Sequence, residues 1–300
     1  MASISNFKEI RFTARDGLRL YARHYPSVRG RELRPVLCLP GLTRNSRDFH
    51  IVATALSTHP ITPRSVYTLD LRGRGQSEYD SNWRNYAVPV EVQDVIDFMT
   101  MLELSGPGII GTSRGGLVTF ALAAAQPTRL GPVVLNDIGP VIDVNGLVRI
   151  ASYVGRIPTP KTWQEATRIV MELTRRDFPT LTESDAETLA HQFYNEKDGR
   201  PVASYDAKLA KSLSALEGPI PALWPLFDGL KRVPVLVIRG ANSDLLSAAT
   251  VEGMRLRHPD LTSIEVPNEG HAPLLRDKPT IEAVADFFAA NDSISRRAAA

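Results

Sequence analysis

The chain has a single cysteine, Cys38, among its 300 residues. An internal disulfide is therefore excluded, which fits a reducing compartment. Cys38 lies in the apolar run PVLCLPG, where a buried core thiol is expected. No apolar run approaches the roughly 20 residues of a membrane span. The opening MASISNFKEIRF has no apolar stretch of signal-peptide length. There is no CxxC, no HExxH and no carboxylate–histidine cluster, so neither a metal nor another cofactor is expected. Charge of one sign is also lacking. Lys and Arg total 35 against 33 Asp and Glu, a net charge of +2, which leaves no footprint for nucleic acid. The expectation is a soluble, cytoplasmic protein with a small-molecule partner and neither nucleic acid nor membrane. Oligomeric state is not legible, and the closing SISRRAAA reads as a frayed tail.

What is present is a large core, with 43% hydrophobic residues. FKEIRFTA and LRLYARHY alternate as two antiparallel strands about an RDG turn. PVLCLPG, SVYTLDLRG, GIIGTS and GPVVLNDIG are short apolar runs, as buried strands should be. Helical spacing separates them in RDFHIVATALST, PVEVQDVIDFMTMLEL and RGGLVTFALAAA. Repeated strand–helix–strand order predicts a parallel sheet covered on both faces. From 141 to 230 the pattern turns helical, most clearly in WQEATRIVMELTR and SDAETLAHQFYN. The latter starts at a capping box, Thr182 with Asp185. Strand–helix order returns near Pro234. The expected organisation is an α/β core of 1–140 and 231–300 with a helical insert of 141–230. Such inserts are often lids.

The stretch GTSRGG raises a chemical question. Gly111, Ser113 and Gly115 form G-x-S-x-G where a buried strand meets a helix. A serine on such a turn is lifted clear of the sheet, and its neighbours two residues away come too close for side chains. The helix N-terminus offers backbone N–H groups to a developing oxyanion. Serine needs a base, and the base an orienting acid. Of the six histidines, His24 lies in an edge-like strand, and His50 and His191 lie in helices. His59 and His258 precede prolines at helix ends. Only His271, in VPNEGHAPLL, follows a late strand at the sheet edge where sites form. Two carboxylates also follow strands, Asp244 in RGANSDLLS and Asp137 in VVLND. Asp244 after the penultimate strand is the preferred acid. Asp137 is the alternative, or else a turn cap or pocket residue.

Taken together, LPGLTRNSRDF, LDLRGRGQS, GTSRGG, LNDIGP, VLVIRGANSD and EGHAPLL resemble the α/β-hydrolase fold family. The resemblance covers nearly the whole chain. It implies a mostly parallel eight-stranded sheet flanked by helices, with a helical cap after strand 6. It also implies an oxyanion hole from the backbone N–H groups of Leu42 and Arg114. Pro40-Gly41 stands where the family often has His-Gly. Arg72, Gly73, Arg74 and Gly75 suggest a phosphate loop, but the family carries a similar stretch as a structural turn.

The function expected is cleavage of carboxylic esters through Ser113, His271 and Asp244. A lactonase, a carbon–carbon hydrolase of dienoic ring-cleavage products, and acyl transfer to an alcohol or thiol share these residues. Epoxide hydrolases and haloalkane dehalogenases use aspartate at the Ser113 position. A slow-turnover ligand receptor is the reading from another class. Specificity is expected from the insert, which carries eight aromatic residues from Tyr153 to Phe227. Arg44, Arg47 and Arg114 near the mouth fit either a carboxylate-bearing substrate or solvated, paired positions.

Overall fold

A computed structural model describes residues 6–29, 33–214 and 221–292. The tail SISRRAAA lies outside the described residues. The chain opens with β1 (Lys8–Thr13) and β2 (Arg19–Tyr25), paired antiparallel. There follow β3 (Val36–Leu39), α1 (His50–Ser57), β4 (Val66–Asp70) and α2 (Val88–Met101). Next come β5 (Gly108–Thr112), α3 (Arg114–Ala125) and β6 (Val133–Asn136). After a long excursion the chain returns through β9 (Val235–Gly240), α9 (Ala248–Arg257), β10 (Leu261–Val266) and α10 (Lys278–Ala290). The sheet has eight strands in the order β1-β2-β4-β3-β5-β6-β9-β10. Only the pairings of β2 with β1 and β4 are antiparallel.

This order explains the apolar runs. Ile109, Ile110, Val133 and Val134 are wholly buried because their strands are covered on both faces. One face packs Phe98 of α2 and Phe120 of α3 against the sheet. The other packs Val52 of α1 and Phe288 of α10 against Cys38 and Ile110. Because β3, β5, β6, β9 and β10 run parallel, their carboxyl ends share one edge. The segments that leave this edge carry Leu42, Ser113, Asp137, Asp244 and His271 respectively.

The excursion between β6 and β9 contains α4 (Val144–Tyr153), α5 (Trp163–Thr174), α6 (Glu183–Phe193), α7 (Leu209–Ser214) and α8 (Trp224–Phe227). It also contains an unexpected antiparallel hairpin, β7 (Tyr194–Lys197) and β8 (Arg200–Ala203). Sequence spacing carried the α6 helix on through Tyr194 and Asn195. The helix instead stops at Phe193, and Tyr194 is buried with Ala166, Val170 and Leu189. Asp198 and Gly199 both have positive φ, 51° and 72°, the tight turn that suits a two-residue hairpin loop. At α8 the excursion rejoins the core, where Phe227 meets Phe120 edge-on at 6.0 Å.

The start of α6 shows how the excursion is fastened. Thr182 and Asp185 form the expected capping box. Asp185 also accepts from Arg276, in the segment between β10 and α10. Partial burial alone would raise the Asp185 carboxyl, but Arg276 and the Thr182 N–H and hydroxyl outweigh it and hold it at about 2. A carboxylate depressed on folding stabilises above its unfolded value of about 3.9, and the benefit fades as pH falls toward 2. Urea unfolding of wild type and Arg276→Gln should therefore differ most above pH 4 and converge toward pH 2. A pH-independent difference would refute this origin.

Candidate active site

Ser113 caps α3 with φ 50° and ψ −112°, a conformation costly for a side-chain-bearing residue. The flanking glycines make it possible. A Cβ on Gly115 would lie 2.0 Å from the Leu39 carbonyl oxygen. One on Gly111 would lie 2.9 Å from the Gly115 oxygen and from Gly116 Cα. Backbone cannot yield as a side chain can, so both positions exclude larger residues.

The exposed hydroxyl meets a base. Ser113 Oγ lies 2.7 Å from His271 Nε2. His271 Nδ1 lies 2.8 Å from Asp137 Oδ2. A carboxylate only accepts, so Nδ1 carries the proton and Nε2 is left to accept from the serine. Asp137 is fully buried and His271 side-chain exposure is 6%. The second Asp137 oxygen accepts from Gly240 N–H at 2.8 Å. Oδ2 also accepts from Ser243 Oγ at 2.5 Å, and that hydroxyl accepts from the Leu245 and Leu246 N–H groups. The carboxylate is thus aimed by the β9 end. The segment carrying His271 is held to β6 by Asn136 Nδ2, which donates to the Pro273 carbonyl at 2.9 Å.

Its place after the penultimate strand favours Asp244 as the partner of His271, but the structure puts Asp137 there and Asp244 elsewhere. Its carboxylate takes Nε and Nη2 of Arg149, from α4, at 2.7 and 2.8 Å. Those bonds hold the Asp244 carboxyl below the usual carboxylate range. Arg149 also reaches Asp177 at 3.2 Å. Chain order cannot separate the two acids, since both lie between Ser113 and His271. One signal was available. Asp137 follows the last residue of its strand directly, whereas Asp244 sits four positions beyond Gly240. A strand end fixes a side chain better than a loop does.

The remaining candidates fall around this chain. The Leu42 and Arg114 N–H groups donate to no partner among the described residues. Arg114's side chain turns away from the mouth. Its Nε donates to Glu91 Oε2 at 2.7 Å, and Arg74 Nη1 lies 2.8 Å from Oε1. Arg74 Nε donates to the Leu42 carbonyl at 2.7 Å. Burial would raise the Glu91 carboxyl, yet Arg114 and Arg74 together hold it below its ordinary value. The RGRG stretch thus serves packing. Arg72 is spent on Asp94, Asp80 and Asp16. Arg47 binds Asn195 and the Gln192 and Tyr194 carbonyls.

A cavity of about 140 Å³ opens above Ser113 and His271. Three of the eight insert aromatics, Tyr153, Phe178 and Phe193, line it. Others pack elsewhere; Trp163, for example, stacks on His191. The lining is mostly apolar, with Ile150, Leu189 and Leu274 among its walls.

The alpha/beta hydrolase family model matches residues 36–284. The chain belongs to the alpha/beta hydrolase family. This alpha/beta hydrolase is 33% identical to the 3-hydroxybutyrate-oligomer hydrolase of Cupriavidus necator, over 85% of this chain and 88% of that one. It is 26% identical to the 2-(acetamidomethylene)succinate hydrolase of Mesorhizobium japonicum, over 84% and 87% of the two chains. Among solved structures, an alpha/beta hydrolase from Novosphingobium aromaticivorans superposes with a TM-score of 0.87 at 37% identity. That match covers 96% of this chain and 99% of the other. No helix among the described residues is long and apolar enough to cross a membrane.

The buried ion cluster gives a direct test. Glu91→Gln would strand the Arg74 charge in the interior, at a cost of about 3 kcal/mol. Urea unfolding should read that loss. A change below about 1 kcal/mol would mean the Glu91 charge is dispensable.

Proposed function

We propose that this alpha/beta hydrolase cleaves carboxylic esters of short acyl groups through an acyl-enzyme on Ser113. The observation that carries the reading is the continuous hydrogen-bonded chain from Ser113 Oγ through His271 to Asp137, at 2.7 and 2.8 Å. In the first half-reaction His271 Nε2 takes the Ser113 proton as Oγ attacks the ester carbonyl. The oxyanion is received by the Leu42 and Arg114 N–H groups. Asp137 balances the imidazolium, which then protonates the departing alcohol. In the second, water gives its proton to Nε2 and attacks the acyl-enzyme, releasing the acid and restoring Ser113.

A cavity of about 140 Å³ is close to the size that admits a benzene ring, so a short acyl chain suits it. Similarity to the 3-hydroxybutyrate-oligomer hydrolase supports short hydroxyacyl esters as the substrate class. The insert serves as the lid of this cavity, since α4, α5 and α6 supply Ile150, Leu173 and Leu189 to its walls. The lone, buried Cys38 accords with a cytoplasmic setting.

Hydrolysis of p-nitrophenyl esters of graded chain length tests the reading. Ser113→Ala should lower kcat/KM by at least about 10³-fold. Near-full activity in that variant would reject the nucleophile. Asp137→Asn should lower kcat by about 10³- to 10⁴-fold, because the imidazole loses its acceptor and its tautomer. Asp244→Asn should lie within about tenfold of wild type, as expected of a residue outside the hydrogen-bonded chain. If Asp244→Asn proved the more damaging substitution, the assignment of the acid would be wrong.

A further inference from the structure

Among the cations near the cavity, Arg44 differs from the rest in what its guanidinium has left to offer. Arg47 and Arg114 are turned to structural partners. Arg149 lines the cavity but has Nε and Nη2 on Asp244 and Nη1 on Asp177. Arg44 also lines the cavity, and only its Nε and Nη2 are engaged, on Asp48 at 2.8 and 2.5 Å. Nη1 has no hydrogen-bond partner among the described residues. A guanidinium is a planar fork with two edges that each match a carboxylate. Asp48 occupies one edge of Arg44, and the Nη1/Nη2 edge is open.

Two further observations place the Arg44 side chain beside the chemistry and show it held there. The stem of Arg44 runs beside the nucleophile turn. A Cβ built on Gly41 would lie 3.3 Å from Arg44 Cγ and 3.8 Å from Ser113 Cβ. The guanidinium carbon lies 3.5 Å from the centre of the Phe193 ring, so the fork is held flat against an aromatic face. Side-chain exposure of Arg44 is only 17%, which strengthens any charge pairing there.

We infer that Arg44 is a specificity-determining residue that receives a free carboxylate of the substrate. The substrate class is then a short ester with an anionic end, such as a linear dimer of a hydroxy acid. The chemistry is ester plus water giving two hydroxy-acid molecules, with one carboxylate held on Arg44 throughout. Asp48 orients the fork and limits its net charge, so the site selects a carboxylate by geometry as well as by sign. This inference rests on the ester-hydrolase reading of the site.

The test compares the linear dimer of 3-hydroxybutyrate, as free acid, with its methyl ester. In wild type the acid should have the higher kcat/KM by about tenfold or more. Arg44→Gln should reduce that ratio to within about twofold of unity, and Arg44→Lys should restore part of it. Since both substrates meet the same variant, losses from misfolding cancel in the ratio. Arg44→Gln also strands the Asp48 charge, so the double variant Arg44→Gln/Asp48→Asn is included. It should show no acid preference either. A preference that returns in the double variant, one that survives Arg44→Gln, or equal turnover of both dimers by wild type would overturn the inference. Calorimetry of both ligands with Ser113→Ala reads recognition without turnover. A tenfold acid preference there, beside a wild type that hydrolyses neither dimer, would uphold the carboxylate site and reject the ester reading. Equal binding there would reject the site itself.

Discussion

Ser113 holds φ 50° and ψ −112°, a backbone that the segments packed around it must keep in place. The turn must be tight enough to expose a hydroxyl at the end of β5, which forces glycine at 111 and 115. It must also be rigid, because a strained backbone relaxes unless its surroundings determine it. The rigidity comes from both sides. In front, the hydroxyl is held by His271, and the His271 segment is tied to β6 through Asn136. Behind, the Arg114 side chain anchors the first turn of α3 to Glu91 of α2. Glu91 in turn pairs with Arg74, which grips the Leu42 carbonyl. One buried carboxylate therefore braces both segments that bear the proposed oxyanion donors.

Much of this was legible from residue order. The apolar runs at β3 through β6 and at β9 mark a buried parallel sheet, because only strands covered on both faces lack polar alternation. Once those strands are parallel, every loop at their carboxyl ends meets at one edge. The G-x-S-x-G spacing singles out Ser113 at that edge, and His271 is the histidine whose loop follows a late strand there. The hairpin at Tyr194 was not legible, because a helical pattern gives no warning that a buried contact will end it. The acid was legible only in part. Asp137 and Asp244 both leave strands at the same edge; distance from the strand end favours Asp137, but the partner that occupies Asp244 is a cation from a distant part of the chain. Arg149 sits in α4, far from Asp244 in sequence, and nothing in either local pattern announces their pairing.

The charged residues around the site illustrate the same limit. Arg44, Arg47 and Arg114 look alike in the sequence, and their environments assign them different work. Arg47 fastens the hairpin, Arg114 faces the interior, and Arg44 lines the cavity with only Nε and Nη2 engaged. The difference arises from which acceptors the fold brings within 3 Å or so of each guanidinium, a property of tertiary packing.

The segments leaving β6 and β9 are braced against each other through a few side chains. Asp137 leaves β6, and its carboxylate accepts from Gly240 N–H at the end of β9 and from Ser243 Oγ just beyond it. Asp244, on the same loop after β9, is bound by Arg149 of α4, which also reaches Asp177. A substitution in the β9 loop would therefore be felt in two places at once, at the carboxylate that contacts His271 and at the helix that walls the cavity.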